Sequence, residues 1–221
     1  MKVTNTLLLL TFTFLSPHFA SAQDSFQQMK DSLLKVVAAS SGTEKLEACK
    51  KLCRLPIAAG YEDEYFKFSE DLIGEAQKQG NLDVEGEAKV DEVVKLYNYN
   101  KKEELFKKAD LYLPFFTKNE QWKNYYTVYF LLIESHIYAH RYEKAMQEAK
   151  RIYEQSKAQA DVSGIETATY LMALVYTNTS RLDEAETFYR ATISLSDDPD
   201  NFSNPRRRAF EDLCRLMLKK K

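Results

Sequence analysis

Residues of one kind return every 40 positions along this chain. Tyr65, Leu105, Ala145 and Ala185 stand 40 residues apart, each preceded two positions earlier by an acid: Asp63, Glu103, Glu143 or Asp183. Seven positions after each anchor stand Leu72, Tyr112, Ile152 and Thr192. The acids suit a first helical turn, where the dipole favours negative charge. Repetition on this scale indicates stacked supersecondary units, since one such unit cannot bury its apolar face alone.

Apolar residues recur at intervals of three and four, as amphipathic helices require, and no stretch alternates with period two for long. Breaks fall at Ser40-Ser41-Gly42, Ala59-Gly60, Gln79-Gly80-Asn81, Asn98 to Asn100, His140-Arg141, Ser180-Arg181 and Asp197 to Asn204. Together with the periodicity, these breaks give about ten helices, near 24–39, 43–58, 61–79, 83–98, 101–117, 119–139, 141–159, 161–179, 182–196 and 205–220. Pro56 should kink the second of these or end it early. Short connections force antiparallel neighbours. The expected fold is all-α: an α-solenoid of antiparallel helical hairpins, with four full repeats and a terminal helix.

The last full repeat carries the most pattern. Met172 is the large apolar residue of its first helix, Ala173 the small one and Tyr176 a packing aromatic; Ala185 and Tyr189 follow in the second helix. This resembles the tetratricopeptide repeat. The preceding repeat matches through Leu132, Ile133 and Tyr142-Glu143-Lys144-Ala145, with Ala149 replacing the aromatic and His136 standing where the pattern prefers Tyr. One repeat earlier, Val90, Val93, Val94 and Tyr97 fit if the turn is a residue shorter. The first repeat offers Cys49, Leu52 and Cys53. The resemblance covers 43–200, in repeats near 43–80, 83–118, 119–159 and 161–200, followed by the terminal helix 205–220. Phe210, Leu213 and Leu216 or Met217 share a face of that helix, which either caps the array or leads into more chain. Intervals of 40 rather than roughly 34 imply longer helices.

The resemblance also implies a site. In tetratricopeptide arrays the first helix of each repeat lines a concave face that holds a partner's peptide or helix. Carried onto the two better repeats, those positions are Thr127, Phe130, Glu134, Ile137 and Tyr138, then Thr167, Tyr170, Leu174, Thr177 and Asn178. Aromatic and apolar side chains among polar ones suit capture of an amphipathic or extended segment. The opposing reading is that longer helices bury these residues against neighbouring repeats. The Lys/Asn carboxylate clamp of chaperone-binding members is not recognisable.

The first 22 residues read as a secretory signal: Lys2, an apolar core over 7–15, and the small-residue site Ala20-Ser21-Ala22. That core is too short for a membrane span, and Gln23 rather than a lipidated Cys follows. The mature domain, 23–221, is therefore expected outside the cytoplasm, secreted or periplasmic. Without Lys2 its formal charge is −3, which gives no field for nucleic acid or an anionic membrane. The expected partner is a protein or peptide, with homo-oligomerisation through the terminal repeat as a further expectation. No membrane span is expected after cleavage.

Cys49, Cys53 and Cys214 are too sparse for a disulfide scaffold, and Cys49 and Cys53 read as small core residues. His136 and His140 are four apart, but Ile137 stands where HExxH needs its Glu, and no third ligand is evident. GxGxxG, GxxxxGK[ST] and GxSxG are all missing, so no cofactor and no catalytic residue is assigned. Arg206-Arg207-Arg208 sits at the unfavourable end of a helix and is expected to pair locally with Asp197, Asp198 and Asp200, the alternative being a contact with a partner. The aromatics around Trp122 and Tyr125 read as core rather than a sugar platform. The expectation is thus a non-enzymatic binding module. An export signal before divergent repeats is similar to the extracytoplasmic sensing region of bacterial membrane-bound histidine kinases. The alternatives are a free-standing periplasmic scaffold and a zinc-dependent enzyme using the two histidines.

Overall fold

A computed structural model describes residues 17–55, 62–195 and 203–219, with side chains from 25 onward. Ten helices occupy them: α1 Pro17–Ala39, α2 Gly42–Arg54, α3 Glu62–Lys78, α4 Leu82–Asn98, α5 Lys102–Lys118, α6 Trp122–Tyr138, α7 Tyr142–Ala158, α8 Val162–Asn178, α9 Leu182–Ser194 and α10 Asn204–Lys219. The basic and apolar parts of the expected signal, the acids Asp197, Asp198 and Asp200, and the chain's last two lysines lie outside the described residues. Among the described residues no helix is long and apolar enough to cross a membrane.

Two compact units divide the chain after Glu75. In the first, Phe26, Leu33 and Val37 of α1 close over Leu52 and Leu55 at the end of α2 and Phe68 of α3. Lys30 of α1 pairs with Glu64 of α3 at 3.0 Å. Cys49 is core, Cys53 is half-buried, and all three cysteines are free thiols. Helix α2 stops at Arg54, and Leu55 is extended (φ −58, ψ 140) as a residue before proline must be.

In the second unit the helices begin every 20 residues, at 82, 102, 122, 142, 162 and 182. The even helices α4, α6, α8 and α10 pack in sequence against one another. The odd helices α5, α7 and α9 pack on their even neighbours, and among the described residues not on each other. This is a two-layer, solenoid-like stack of antiparallel hairpins. The small residues explain it: Ala109, Ala145, Ala149 and Ala185 of the odd layer, with Ala168 and Ala173 of the even layer, are all sealed from solvent. Two helix backbones approach closely where side chains are this small. Leu105, Tyr112, Ile152 and Thr192 are buried too, as the 40-residue interval requires.

The interval needs no shorter turn in α4, contrary to the sequence-based expectation. Val93, Ile133 and Ala173 stand 40 apart and are all buried. Glu92 conceals the register, since it sits where Leu132 and Met172 sit later. Its buried carboxylate is satisfied by Lys108 at 2.8 Å and by the Tyr112 hydroxyl.

The turns repeat as faithfully as the helices. Gly80, Asn100, Glu120, His140, Ala160 and Ser180 each adopt a left-handed φ between 52° and 64°. The next residue's N–H then bonds back five residues, as in Asp161 N–H to Ser156 O at 2.9 Å. That is a Schellman closure, which favours glycine. Only Gly80 supplies one. Ala160→Gly is therefore expected to stabilise the chain by about 0.5–1 kcal/mol, read as a higher urea midpoint at unchanged slope. A lower midpoint would contradict the turn assignment.

Candidate functional site

The even layer of the second unit encloses a cavity of about 470 Å³. Helix α4 brings Tyr97, α6 brings Thr127, Phe130 and Glu134, α8 brings Thr167, and α10 brings Arg208. Ser203 starts α10 by accepting from Arg206 N–H at 3.3 Å, with Pro205 in the first turn. That cap fixes the approach of Arg208.

Arg208 is the centre of the site. Its guanidinium lies 4.8 Å from the Phe130 ring and 5.3 Å from the Tyr170 ring, and bonds Glu134 Oε1 at 2.5 Å. Tyr97 donates its hydroxyl to the other oxygen, Oε2, at 2.8 Å. Phe130 and Tyr170 stack nearly parallel with centroids 5.9 Å apart. Burial opposes the charge on Arg208, but Glu134 and Tyr170 outweigh it and hold the guanidinium pKa above its usual value. Burial first, then the Glu134 carboxylate, pushes the Tyr97 phenol well above the ordinary range. Both side chains thus keep their protons throughout physiological pH. The groove offers an aromatic wall, one oriented cation and a carboxylate whose oxygens are already engaged.

The expected concave residues do not share one surface. Thr127, Phe130, Glu134 and Thr167 meet in this cavity. Leu174 and Thr177 line a smaller one of about 110 Å³ under α10. Tyr138 is exposed and borders a third with Tyr97. Ile137 is buried, and Tyr170 is fully buried, its hydroxyl bonding Asp212 Oδ2 of α10 at 2.9 Å. Those two side chains spend their surface on packing within the chain. Asn178 is exposed and donates to Leu174 O at 2.8 Å.

The concave-face positions read from the sequence did not include Arg208 and Tyr97. The arginine run was visible, but its partners lie far upstream: Glu134 for Arg208 and Glu166, at 3.8 Å, for Arg206. Arg207 pairs locally with Glu211 at 2.8 Å. Only the 40-residue offset between Glu166 and Arg206 hinted at this. The two histidines go to different neighbours: buried His136 stacks on Phe106, while exposed His140 bonds the Tyr142 hydroxyl through Nδ1 at 2.7 Å. Among the described residues no three His, Cys, Asp or Glu side chains converge as metal ligands would.

Fold and groove together define an all-helical, solenoid-like repeat module of a kind suited to holding other proteins. The architecture is consistent with the tetratricopeptide-like superfamily. No protein-family model and no curated protein matches the chain.

Proposed function

We propose that the chain is a non-enzymatic, protein- or peptide-binding tetratricopeptide module that works outside the cytoplasm as the sensing part of a signal-transduction receptor. The groove around Arg208 carries this reading. It combines an aromatic wall with a cation held in place by Glu134, and it lies on the even-helix face, where tetratricopeptide arrays take their ligands. A partner segment with an acidic residue beside an apolar one would meet Arg208 and Phe130 together. The export-signal pattern of the first 22 residues supports the location.

Site-specific photocrosslinking in the envelope tests the binding face. A crosslinker at Thr127, inside the groove, is expected to give a discrete adduct that Phe130→Ala weakens. The same crosslinker at Glu143, on the exposed start of α7, is expected to give none. Equal adducts at both positions would contradict the groove. The receptor reading has its own test, the gene beyond codon 221: an apolar span followed by a cytoplasmic domain supports it. A stop codon with no such span refutes it and favours a free-standing envelope scaffold.

A further inference from the structure

A second cavity of about 580 Å³ opens on the opposite layer, between α5 and α7, with α6 as its floor. It exists because those two odd helices do not touch. Its residues are not the ones a concave-face ligand would meet, and nothing about the even-layer groove explains them.

His136 is the anomaly at one end. The residue is 1% exposed, its ring stacks on Phe106 at 4.6 Å, and its Nδ1 has no hydrogen-bond partner. The array does not need a nitrogen here: the equivalent positions one repeat away hold Leu96, equally buried, and Tyr176. A buried polar atom left unsatisfied costs free energy that a leucine would not. The surroundings are charged to match. Arg141 lies 5.0 Å above the Phe106 ring, and the charge of Lys144 is felt at His136. Farther along α7, Glu148 is engaged by Arg151 at 2.9 Å. The lining charges are Arg141, Lys144 and Arg151 against Asp110 and Glu148, which leaves one positive charge in excess in the cavity. The remaining wall is apolar, with Leu113, Tyr129 and Leu132, and is far larger than an inorganic anion needs.

We propose that this groove binds a small organic carboxylate, with the carboxylate held by Arg141, Lys144 and the Nδ1–H of His136 and the apolar body lying on Phe106, Tyr129 and Leu132. The site is independent of the partner groove around Arg208. Burial, then Lys144, then Arg141 hold His136 down to a pKa of about 4, so at neutral pH it is a neutral imidazole able to donate one N–H. The charged groups that share its cavity are Asp110 on α5, Arg141 at the N-cap of α7, and Lys144, Glu148 and Arg151 on α7. A bound carboxylate offsets the two cations and so raises the His136 pKa; binding is expected to strengthen as pH falls toward 5.

Calorimetry and histidine NMR on the full chain test this with three probes: 4-phenylbutyrate, its neutral analogue 4-phenylbutanol, and inorganic phosphate. Phenylbutyrate is expected to bind saturably and shift the His136 ring signals. Lys144→Gln and His136→Leu are each expected to weaken it about tenfold, while circular dichroism remains that of the parent. The leucine already tolerated at position 96 makes a folded His136→Leu chain the expected outcome. Equal affinity for phenylbutanol would overturn the proposal, because the carboxylate would then be irrelevant. So would the same His136 shift from phosphate alone, an absence of phenylbutyrate binding, or unchanged affinity in both variants.

Discussion

Gly164→Val is expected to cost about 3 kcal/mol or more and to lower the urea midpoint further than Gly86→Ala or Phe130→Ala. Gly164 lies in the first turn of α8, where the Asp161 cap accepts its N–H at 3.2 Å. A Cβ there would come within 2.0 Å of Ser156 Oγ and 2.4 Å of Tyr126 Cζ. Neither atom is free to give way. The Tyr126 hydroxyl donates to Asp161 Oδ2 at 2.9 Å and accepts from Ser156 Oγ at 3.2 Å. One methyl group would therefore part α8 from both α6 and α7, and valine adds two more carbons. Gly86 looks similar but is not, because its nearest neighbour is the end of the Gln121 side chain. Gly86→Ala should cost clearly less. Equal losses at the two glycines would contradict this packing.

Acid should weaken the fold through the side chain of His136. His136 is held to a pKa of about 4 against an ordinary 6.5, by burial first and then by Lys144 and Arg141. A depressed folded pKa means that the unfolded chain takes up the proton first. The contribution to stability is complete above pH 6.5 and is lost as pH falls from there to about 4. The loss over that window is about 2 to 3 kcal/mol. Urea unfolding of the parent and His136→Leu at pH 7, 5 and 4 isolates it, since both chains share every carboxylate. The stability difference between them should move in favour of the leucine chain by that amount. Parallel loss in both would show that His136 titrates normally.

Most of the architecture was legible because it is repetitive. The interval that links Leu105, Ala145 and Ala185 fixes which faces turn inward, and all three are sealed in the structure. Helix ends were legible where glycine, asparagine or proline marks them, as at Gly80, Asn100 and Pro56. The turns at Glu120 and Ala160 adopt the same left-handed backbone without such a residue, so helix spacing alone located them. Glu92 is the instructive failure. A buried carboxylate interrupts the apolar pattern of α4, and its partners Lys108 and Tyr112 lie on the next helix, out of reach of any local reading.

The candidate site was less legible for a related reason. A periodic pattern identifies which helices face a groove but not which side chains the groove consumes. Thr127 and Phe130 remain in the cavity, whereas Tyr170 disappears beneath α10 and Ile137 into the layer. The groove's central charge comes from Arg208, beyond the last full repeat, and its partner Glu134 is 74 residues earlier. The pairing needs three stacked even helices to be assembled before it exists.

The stacking itself is measured most directly by pulsed electron spin distances within the second unit. Non-cysteine spin labels at Glu103, Glu143 and Asp183 occupy equivalent, solvent-accessible positions at the starts of α5, α7 and α9. Translational stacking predicts that the two consecutive distances are alike and that the distance from 103 to 183 clearly exceeds either. A distance from 103 to 183 as short as its neighbours', as a closed bundle would give, contradicts it.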